Sequence, residues 1–275
     1  MKRVLITGGA SGLGLAMANY YAAQGWAVCI ADIQDEIGEQ QVQRLTEQHG
    51  SSFFFQHLDV TNEAQWLELL NVIAKRWGGL DTLINNAGVA SSGEIDAISL
   101  KDFKWTMDIN VLGVVNGCHF FTPLLKKSEG NLINVASMAG LIHMGGMSAY
   151  NTSKAAVVAL SETLYNELSP FNVKVSVLCP AFFKTNLTDT MRSSNANGTA
   201  VASKMMAKSK ISADDIAKQV YQDSAKGRFM ILTHKPEKLV WKMKRYVPSL
   251  YFKVMGMAAK KINNSKIRPE VKKAA

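Results

Sequence analysis

The segment Thr7-Gly8-Gly9-Ala10-Ser11-Gly12-Leu13-Gly14 decides the fold of this 275-residue chain. A short apolar run precedes it and a helical pattern follows it. Its glycines permit a tight turn that brings the backbone close to a phosphate group, and the helix that begins there directs free N–H groups at the anion. The spacing differs from the commoner G-x-G-x-x-G pattern, so a flexible turn without a ligand is the alternative interpretation. Its place in the first strand–helix unit favours a phosphate site.

Outward from this loop, short β-branched or apolar runs alternate with longer amphipathic segments. The predicted strands are 3–7, 27–31, 52–57, 81–85, 131–135, 173–178 and 229–232. The predicted helices are 12–24, 35–48, 63–77, 100–125, 149–168 and 213–226. Such alternation predicts an α/β fold, with one doubly wound Rossmann domain. We expect a mostly parallel seven-stranded sheet with helices on both faces, plus a basic C-terminal helical extension.

The positive charge of the chain is concentrated at its end. The formal net charge is +9, yet residues 1–234 hold 19 Lys and Arg against 20 Asp and Glu, whereas residues 235–275 hold 12 against 2. Because the body is nearly neutral, nucleic-acid binding by the whole protein loses its main support. A nucleic-acid-binding tail is the remaining form of this hypothesis, but the tail has no recognisable motif, and we expect no nucleic-acid partner. With 47% apolar and 19% charged residues, a disordered chain is excluded. Residues 186–210, rich in Asn, Ser, Thr, Met and Lys, are predicted to form a mobile insertion.

The basic extension has an amphipathic pattern. Within 236–262, Trp, Tyr, Phe and aliphatic residues alternate with lysines at helical spacing. One interpretation is peripheral contact with an anionic membrane surface. The other is a helix that packs on the body or on a second subunit, with its lysines in solvent. The sequence leaves both open.

The cysteine pattern and the first residues indicate a cytoplasmic protein. Cys29, Cys118 and Cys179 are far apart, form no C-x-x-C pair and lie in apolar surroundings, which favours buried thiols in a reducing compartment. The apolar run after Lys2 and Arg3 is too short for a secretory signal. The five histidines form no cluster, so no metal site is predicted.

Asp32 follows the second predicted strand, 18 residues after Gly14. A carboxylate at this position can accept a hydrogen bond from the adenosine ribose and repels a 2′-phosphate. Ser11 and Ile33 stand where a cation could read that phosphate. The pattern therefore predicts NAD rather than NADP. Asp32 could also act as the N-cap of the helix predicted over 35–48.

A second group of residues indicates catalysis. Tyr150 and Lys154 form a Tyr-x-x-x-Lys pattern, which places both side chains on one face of a helix. Ser137 follows the fifth predicted strand. It therefore stands at the carboxyl end of a parallel strand, where open α/β sheets bind ligands.

Together with the glycine loop, these residues make the chain resemble the short-chain dehydrogenase/reductase family over residues 1 to about 232. The motifs that match are Gly8, Gly12 and Gly14; Asp59-Val60; Asn85-Asn86-Ala87-Gly88; Asn110; and Ser137, Tyr150 and Lys154. One departure is Pro180-Ala181 in place of the usual Pro-Gly. Alanine restricts the backbone there to negative φ, which affects the path of 181–187 but not the chemistry.

The resemblance implies a catalytic and dinucleotide-binding domain over 1–234. It implies hydride transfer between nicotinamide and an alcohol or ketone carbon, with Asn110, Ser137, Tyr150 and Lys154 as catalytic residues. The cofactor contacts it implies are Gly8, Ser11, Gly12, Leu13, Gly14, Asp32, Asp59, Val60, Asn86, Ala87, Gly88, Tyr150, Lys154, Pro180, Phe183 and Thr185. It also implies a homodimer or homotetramer formed through the helices that carry Asn110 and Tyr150.

The implied mechanism requires that the pKa of Tyr150 be lowered. A free Tyr has a pKa near 10, and lowering it by about two to three pH units corresponds to about 3–4 kcal/mol. Lys154 and an oxidised nicotinamide would supply this as neighbouring cations. Tyr150 would then be the general acid/base and Ser137 would hold the substrate oxygen. Asn110 would seat a water that relays protons from Lys154.

The sequence predicts a hydrophobic substrate. Apolar side chains dominate the segments that are expected to flank the nicotinamide, and methionines among them suit a bulky ligand. The alternative is that these are ordinary core methionines. The apolar residues are Met138, Leu141, Ile142, Met144, Met147, Phe182, Phe183, Leu187 and Met191. Substrate contacts are predicted from Ser137, His143, Met144, Tyr150 and Phe182, with a loop role for His143 equally open. A non-catalytic dinucleotide-binding regulatory or scaffolding protein is the alternative function.

Overall fold

One parallel sheet organises the chain. The computed structural model describes residues 1–50, 52–185, 191–194, 204 and 206–271, with the backbone alone over 261–271. The strands are β1 (Arg3–Thr7), β2 (Ala27–Asp32), β3 (Phe53–His57), β4 (Thr82–Asn85), β5 (Ser91–Ser92), β6 (Asn131–Val135), β7 (Lys174–Leu178), β8 (Arg192–Ser193) and β9 (Met230–Ile231). The α-helices are α1 (Gly12–Ala23), α2 (Asp35–His49), α3 (Glu63–Trp77), α4 (Leu100–Met107), α5 (Gly113–Ser128), α6 (Ser148–Leu168), α7 (Ala213–Ala225), α8 (Lys235–Tyr246) and α9 (Pro248–Val271).

The main sheet has seven strands in the order β3-β2-β1-β4-β6-β7-β9. Every neighbouring pair is parallel, so the prediction of a doubly wound sheet is confirmed and its strands are all parallel rather than mostly so. The order of connection reverses between β1 and β4. Such a switch point opens a crevice beyond the carboxyl ends of the strands, where ligands bind.

Alternate residues of each strand enter two separate cores. On β1, Leu5 packs with α3, α5 and α6, whereas Val4 and Ile6 pack with α1, α2 and α7. All three side chains are completely buried. Because both faces of the sheet are covered, apolar residues occupy successive positions in most strands, and the burial of this surface stabilises the fold. The three cysteines are free and buried, as predicted.

The long helix predicted over 100–125 is interrupted. Its middle, Asp108–Leu112, forms a π-helical turn between α4 and α5. Such a turn accommodates one extra residue, and the 3.6-residue periodicity used for the prediction does not register a single insertion. Asn110 lies in this turn and is fully buried.

The prediction of one helix over 236–262 is wrong, because the helix is interrupted at Val247. This residue leaves the helical conformation, with φ −136° and ψ 63°, since the following Pro248 disfavours a helical residue before it. Trp241 of α8 packs against the core and Tyr251 of α9 is buried, so the extension lies on the body. None of the helices in the described ranges is long and apolar enough to cross a membrane.

The predicted mobile insertion lies mostly outside the described residues. Of 186–210, residues 186–190, 195–203 and 205 are not described. Arg192–Ser193 form β8, a parallel partner of β5. The Arg192 guanidinium lies 3.9 Å from the Trp105 ring centroid and 2.9 Å from an oxygen of Asp102. This part of the segment is therefore attached to α4.

Candidate active site

The glycine loop connects β1 to α1 in a close turn. Gly8 and Gly12 have positive φ, +61° and +53°. At Gly14, an added Cβ would lie 2.6 Å from Asn86 Nδ2 and closer still to the carbonyl oxygen of Gly8. Ser11 occupies the N-cap position of α1 without a capping hydrogen bond from its side chain, and Leu13 is buried in the core. The absence of a side chain at Gly14 is therefore what lets the helix approach the loop.

Asn86 and Thr7 hold this loop against the end of β4. The side-chain nitrogen Nδ2 of Asn86 donates to Thr7 O at 2.9 Å and to Gly8 O at 3.0 Å. The Thr7 hydroxyl accepts from the backbone of Asn86 and of Ala87, both at 3.0 Å. Both amide hydrogens of Asn86 are thus used within the protein. Thr7 was not among the predicted site residues, although its position directly before Gly8 could have indicated it.

Asp32 also contacts the loop. Its Oδ2 accepts from Ala10 N at 3.0 Å, and its Oδ1 accepts from Gln34 N at 3.2 Å. The carboxylate is buried at the end of β2. The N-cap interpretation is wrong, because α2 begins at Asp35 and Gln34 occupies that position without a side-chain cap.

Asp59 and Val60 shape the turn after β3. Asp59 Oδ1 accepts from the backbone and hydroxyl of Thr61, at 2.9 and 2.8 Å. The carbonyl of Val60 accepts from Trp66 Nε1 at 2.9 Å and from Asn116 Nδ2 at 3.0 Å. The predicted adenine contacts therefore stand on a turn that is braced from α3 and α5.

Ser137, Tyr150 and Lys154 come together beyond the carboxyl end of β6. The Tyr150 side chain hydrogen-bonds that of Ser137. Ser137 Oγ also lies 3.4 Å from Pro180 O and accepts from Ala139 N at 3.1 Å. Lys154 Nζ donates to Val135 O at 3.0 Å and lies 5.8 Å from the centroid of the Tyr150 ring. The structure thus brings the predicted Ser, Tyr and Lys into one site.

The pKa directions in this site follow from burial. Burial raises the pKa of Tyr150 above its usual value, and the hydrogen bond from Ser137 opposes this only in part. Burial lowers the pKa of Lys154 to about 8, partly offset by the Cys179 thiol group. The expected lowering of the tyrosine pKa by Lys154 is therefore not a property of the protein alone, because desolvation of the phenolate outweighs the neighbouring groups.

Asn110 braces the site from the π-helical turn. Its Oδ1 accepts from Val89 N at 2.8 Å, and its Nδ2 donates to Val89 O at 2.9 Å and to Ser153 Oγ at 3.0 Å. An added Cβ at Gly88 would lie 3.1 Å from Asn110 Oδ1 and 3.2 Å from Lys154 Nζ. Both donors of the amide are used by protein atoms, so only acceptor positions remain for the predicted water.

A cavity of about 150 Å³ that opens to solvent lies over Ser137 and Tyr150. Pro180 and Thr185 line it, and an added Cβ at Gly12 would lie 3.2 Å from Thr185 Oγ1. Most of the predicted apolar residues also line it: Met138, Ile142, Met144, Met147, Phe182, Phe183 and Met191. Leu187 lies outside the described residues.

Two residues of the segments that were predicted to surround the substrate lie outside the described wall of the cavity. Leu141 is buried in the core and His143 is exposed; neither is among the described residues that line the cavity. The His143 ring lies 3.2 Å from Gly140 O and 3.1 Å from Lys244 Nζ. It therefore contacts the C-terminal extension. Ala181, the departure from Pro-Gly, donates its N–H to His234 Nδ1 at 3.3 Å.

The sequence of the chain is similar to those of known dehydrogenases. The family model for short chain dehydrogenases matches residues 2–196. The chain belongs to the short-chain dehydrogenase/reductase family. It is an oxidoreductase that transfers hydride between a nicotinamide dinucleotide and an alcohol or ketone carbon. The family predicted from the motifs is thereby confirmed.

Three similar proteins illustrate the family. Cyclopentanol dehydrogenase of Comamonas sp. (strain NCIMB 9872) is 35% identical over 188 residues, 68% of this chain and 75% of that protein. A 3-alpha-(or 20-beta)-hydroxysteroid dehydrogenase of Mycobacterium bovis is 32% identical over 189 residues, 68% of this chain and 71% of that protein. A short-chain dehydrogenase/reductase from Burkholderia phymatum, solved in complex with NAD, is 31% identical with a TM-score of 0.85, covering 90% of this chain and 94% of that one.

Proposed function

We propose that this short-chain dehydrogenase/reductase uses NAD and interconverts a hydrophobic secondary alcohol and its ketone, with Tyr150 as the general acid/base. The observation that carries the proposal is a mainly apolar cavity lined by Ser137 and Tyr150, with Lys154 Nζ 5.8 Å from the centroid of the Tyr150 ring. The names of two similar proteins agree with it, since one acts on cyclopentanol and another on hydroxysteroids.

The crevice fits a dinucleotide. Gly14 lets the start of α1 pack closely on the loop, and the N-terminus of this helix would direct its free N–H groups at a phosphate. Asp32 would receive the adenosine ribose, and its charge would repel a 2′-phosphate, which favours NAD over NADP. Thr185 and the end of β7 would hold the nicotinamide end. When bound, the nicotinamide supplies or accepts the hydride.

The proton is handled by the residues of the chain. Ser137 holds the substrate oxygen beside the Tyr150 hydroxyl, and Tyr150 donates a proton to a ketone oxygen or accepts one from an alcohol. In the protein alone, burial opposes the phenolate. The charged form of Lys154 and a positive nicotinamide must together offset this cost. Asn110 keeps the π-helical turn against Val89 and so fixes the wall beside Lys154.

Substitution of Tyr150 by Phe tests this function. Turnover of a secondary alcohol should fall by at least about 10²-fold, because the general acid/base is lost, while NADH still binds. The control is Tyr165→Phe, a half-exposed tyrosine on the same helix, which should behave as wild type. Turnover is followed by nicotinamide absorbance and binding by NADH fluorescence. Near-wild-type turnover by Tyr150→Phe would contradict the assignment and favour a non-catalytic role.

Assembly is proposed through α5 and α6, which border the site. Leu112, in the π-helical turn directly before α5, and Val115 on α5 leave apolar surface exposed, and Tyr165 does so on α6. A homodimer or homotetramer would cover this surface. Sedimentation of the full chain should give a species larger than a monomer, and a monomer at micromolar concentration would contradict the proposal.

Peripheral membrane contact is a second role for the extension. Its outer surface exposes Leu239, Tyr246, Leu250, Phe252 and Met257 among lysines. This combination suits an anionic bilayer surface. The full chain should float with vesicles that contain phosphatidylserine and not with neutral ones. If the protein floats with neither kind of vesicle, the proposal is contradicted, and packing on the body is the remaining role of α8 and α9.

A further inference from the structure

The cavity contains two buried acceptors that the proposed reaction does not use. Glu237 and Asn151 both line it, together with Ser137 and Tyr150. Glu237 Oε2 and Asn151 Oδ1 are shielded from solvent, and neither has a hydrogen-bond partner. An unpaired buried acceptor is unfavourable, and a ligand that donates to it removes the penalty.

The orientation of Asn151 is determined by its other contact. Its Nδ2 donates to Met144 O at 2.7 Å, and only the amide nitrogen can donate to a carbonyl. Its oxygen is therefore the atom left without a partner. The residue is 8% exposed, so bulk water does not replace the missing donor.

Glu237 reaches the cavity from the C-terminal extension. It lies in the first turn of α8, and Lys244 further along that helix donates to Leu141 O at 2.6 Å and contacts His143 Nδ1 at 3.1 Å. These contacts fix α8 beside the segment that leads into α6. Glu237 also lies beyond residues 2–196, the part of the chain matched by the family model.

The carboxylate of Glu237 has no compensating cation among the described residues of the cavity wall. Among the described lining residues there is no Lys, Arg or His. Burial lowers the pKa of His234, one turn earlier on the chain, and the charge of Glu237 opposes this lowering only in part. An acceptor of this kind recognises a hydroxyl or ammonium donor within an otherwise apolar pocket.

We propose that Glu237, assisted by Asn151, recognises a second hydrogen-bond donor on the substrate, remote from the carbon that exchanges hydride. The preferred substrate is then an apolar alcohol or ketone that carries a further hydroxyl or amino group. The inference rests on the proposed function, because it takes the cavity over Tyr150 as the substrate site. It assigns Glu237 as a specificity-determining residue supplied by the extension.

The test compares alkan-2-ols of graded length with their ω-hydroxy and ω-amino counterparts. For each pair, kcat/KM of the full-length enzyme with NAD gives a ratio of donor-bearing to plain substrate. Calorimetry of the same compounds, with and without NAD, gives the ratio of binding constants independently of turnover. The variants are Glu237→Leu and the isosteric Glu237→Gln. Lys238→Gln, an exposed neighbour on α8, is the control.

At the best chain length, Glu237→Leu should lower the ratio about ten- to hundredfold, the range expected for a hydrogen bond to a charged group. Glu237→Gln should reduce the amino ratio more than the hydroxyl ratio, because it removes the charge and keeps an acceptor. Lys238→Gln should leave both ratios unchanged. A ratio in Glu237→Leu within twofold of wild type, at every length and in both measurements, would overturn the inference. If the wild type turns over none of the alcohols, the proposed function fails, and the calorimetric ratio still decides the role of Glu237.

Discussion

Replacement of Gly14 by Ala should separate the close approach of the glycine loop from general helix stability. The new Cβ would lie 2.6 Å from Asn86 Nδ2, 2.8 Å from the carbonyl carbon of Gly8 and closer still to its oxygen. The loop cannot yield freely, because Asn86 is bonded to Thr7 O and Gly8 O. Gly8 and the start of α1 must therefore separate.

The magnitude follows from two opposing effects. Overpacking of this kind costs about 1–3 kcal/mol and at times more, and two of these clashes involve backbone atoms, which places the cost near the upper end. Alanine regains up to about 1 kcal/mol over glycine inside a helix. We expect a net loss of about 2 kcal/mol in the free energy of unfolding. This corresponds to a fall of about 4–8 °C in Tm.

The assay pairs urea unfolding with NADH fluorescence titration. The matched control is Gly145→Ala, since an added Cβ there meets nothing within 4 Å. Its unfolding free energy should change by no more than about 1 kcal/mol, and in the stabilising direction. For Gly14→Ala we also expect NADH affinity to fall at least about tenfold, because the displaced loop no longer presents its N–H groups to the phosphates. Stability and affinity equal to those of Gly145→Ala would refute the reasoning.

Three further outcomes are expected. Asp32→Asn should raise NADPH affinity relative to NADH at least about fivefold in fluorescence titrations, because a like charge near the 2′-phosphate is removed; an unchanged ratio would contradict the role of Asp32. The pKa of Lys154 is lowered to about 8 in the folded state, so the unfolded chain binds more protons above that pH. Wild-type stability should therefore rise relative to Lys154→Met between pH 8 and about 10.5, by up to about 3 kcal/mol in urea titrations, and a flat difference would oppose this. Lys244→Met should lower stability by about 1 kcal/mol and speed hydrogen exchange over 235–251, whereas the exposed Lys242→Met should do neither.

The extension changes how the site is understood. Its composition suggested a separate basic appendage, yet α8 contributes Glu237 to the cavity and contacts the body through Lys244. The charge of the tail and its role at the site are thus carried by different residues. The remaining lysines and exposed aromatic side chains are available for the membrane contact proposed above.

Local patterns in the sequence determined the order of strands and helices, the glycine loop and the Ser–Tyr–Lys set. Each of these depends on residues close in the chain: a strand of successive apolar residues, a turn that needs glycine, or two side chains one helical turn apart. The family resemblance added Asn110 and Asn86 to the expected site residues. The parallel pairing of the strands followed from the same alternation, because parallel strands need crossover helices, whereas the order of the strands in the sheet came from the structure.

Only the tertiary structure decided which atoms meet across long separations. Thr7 contacts Asn86 and Ala87 through the pairing of distant strands, and the π-helical turn at Asn110 depends on Val89 and Ser153. The approach of Glu237 to the cavity depends on how α8 packs against the body. Such contacts are made by packing and by the satisfaction of buried polar groups, and neither leaves a periodic signal in the sequence. The same holds for Tyr150, whose raised pKa reflects burial by residues far along the chain.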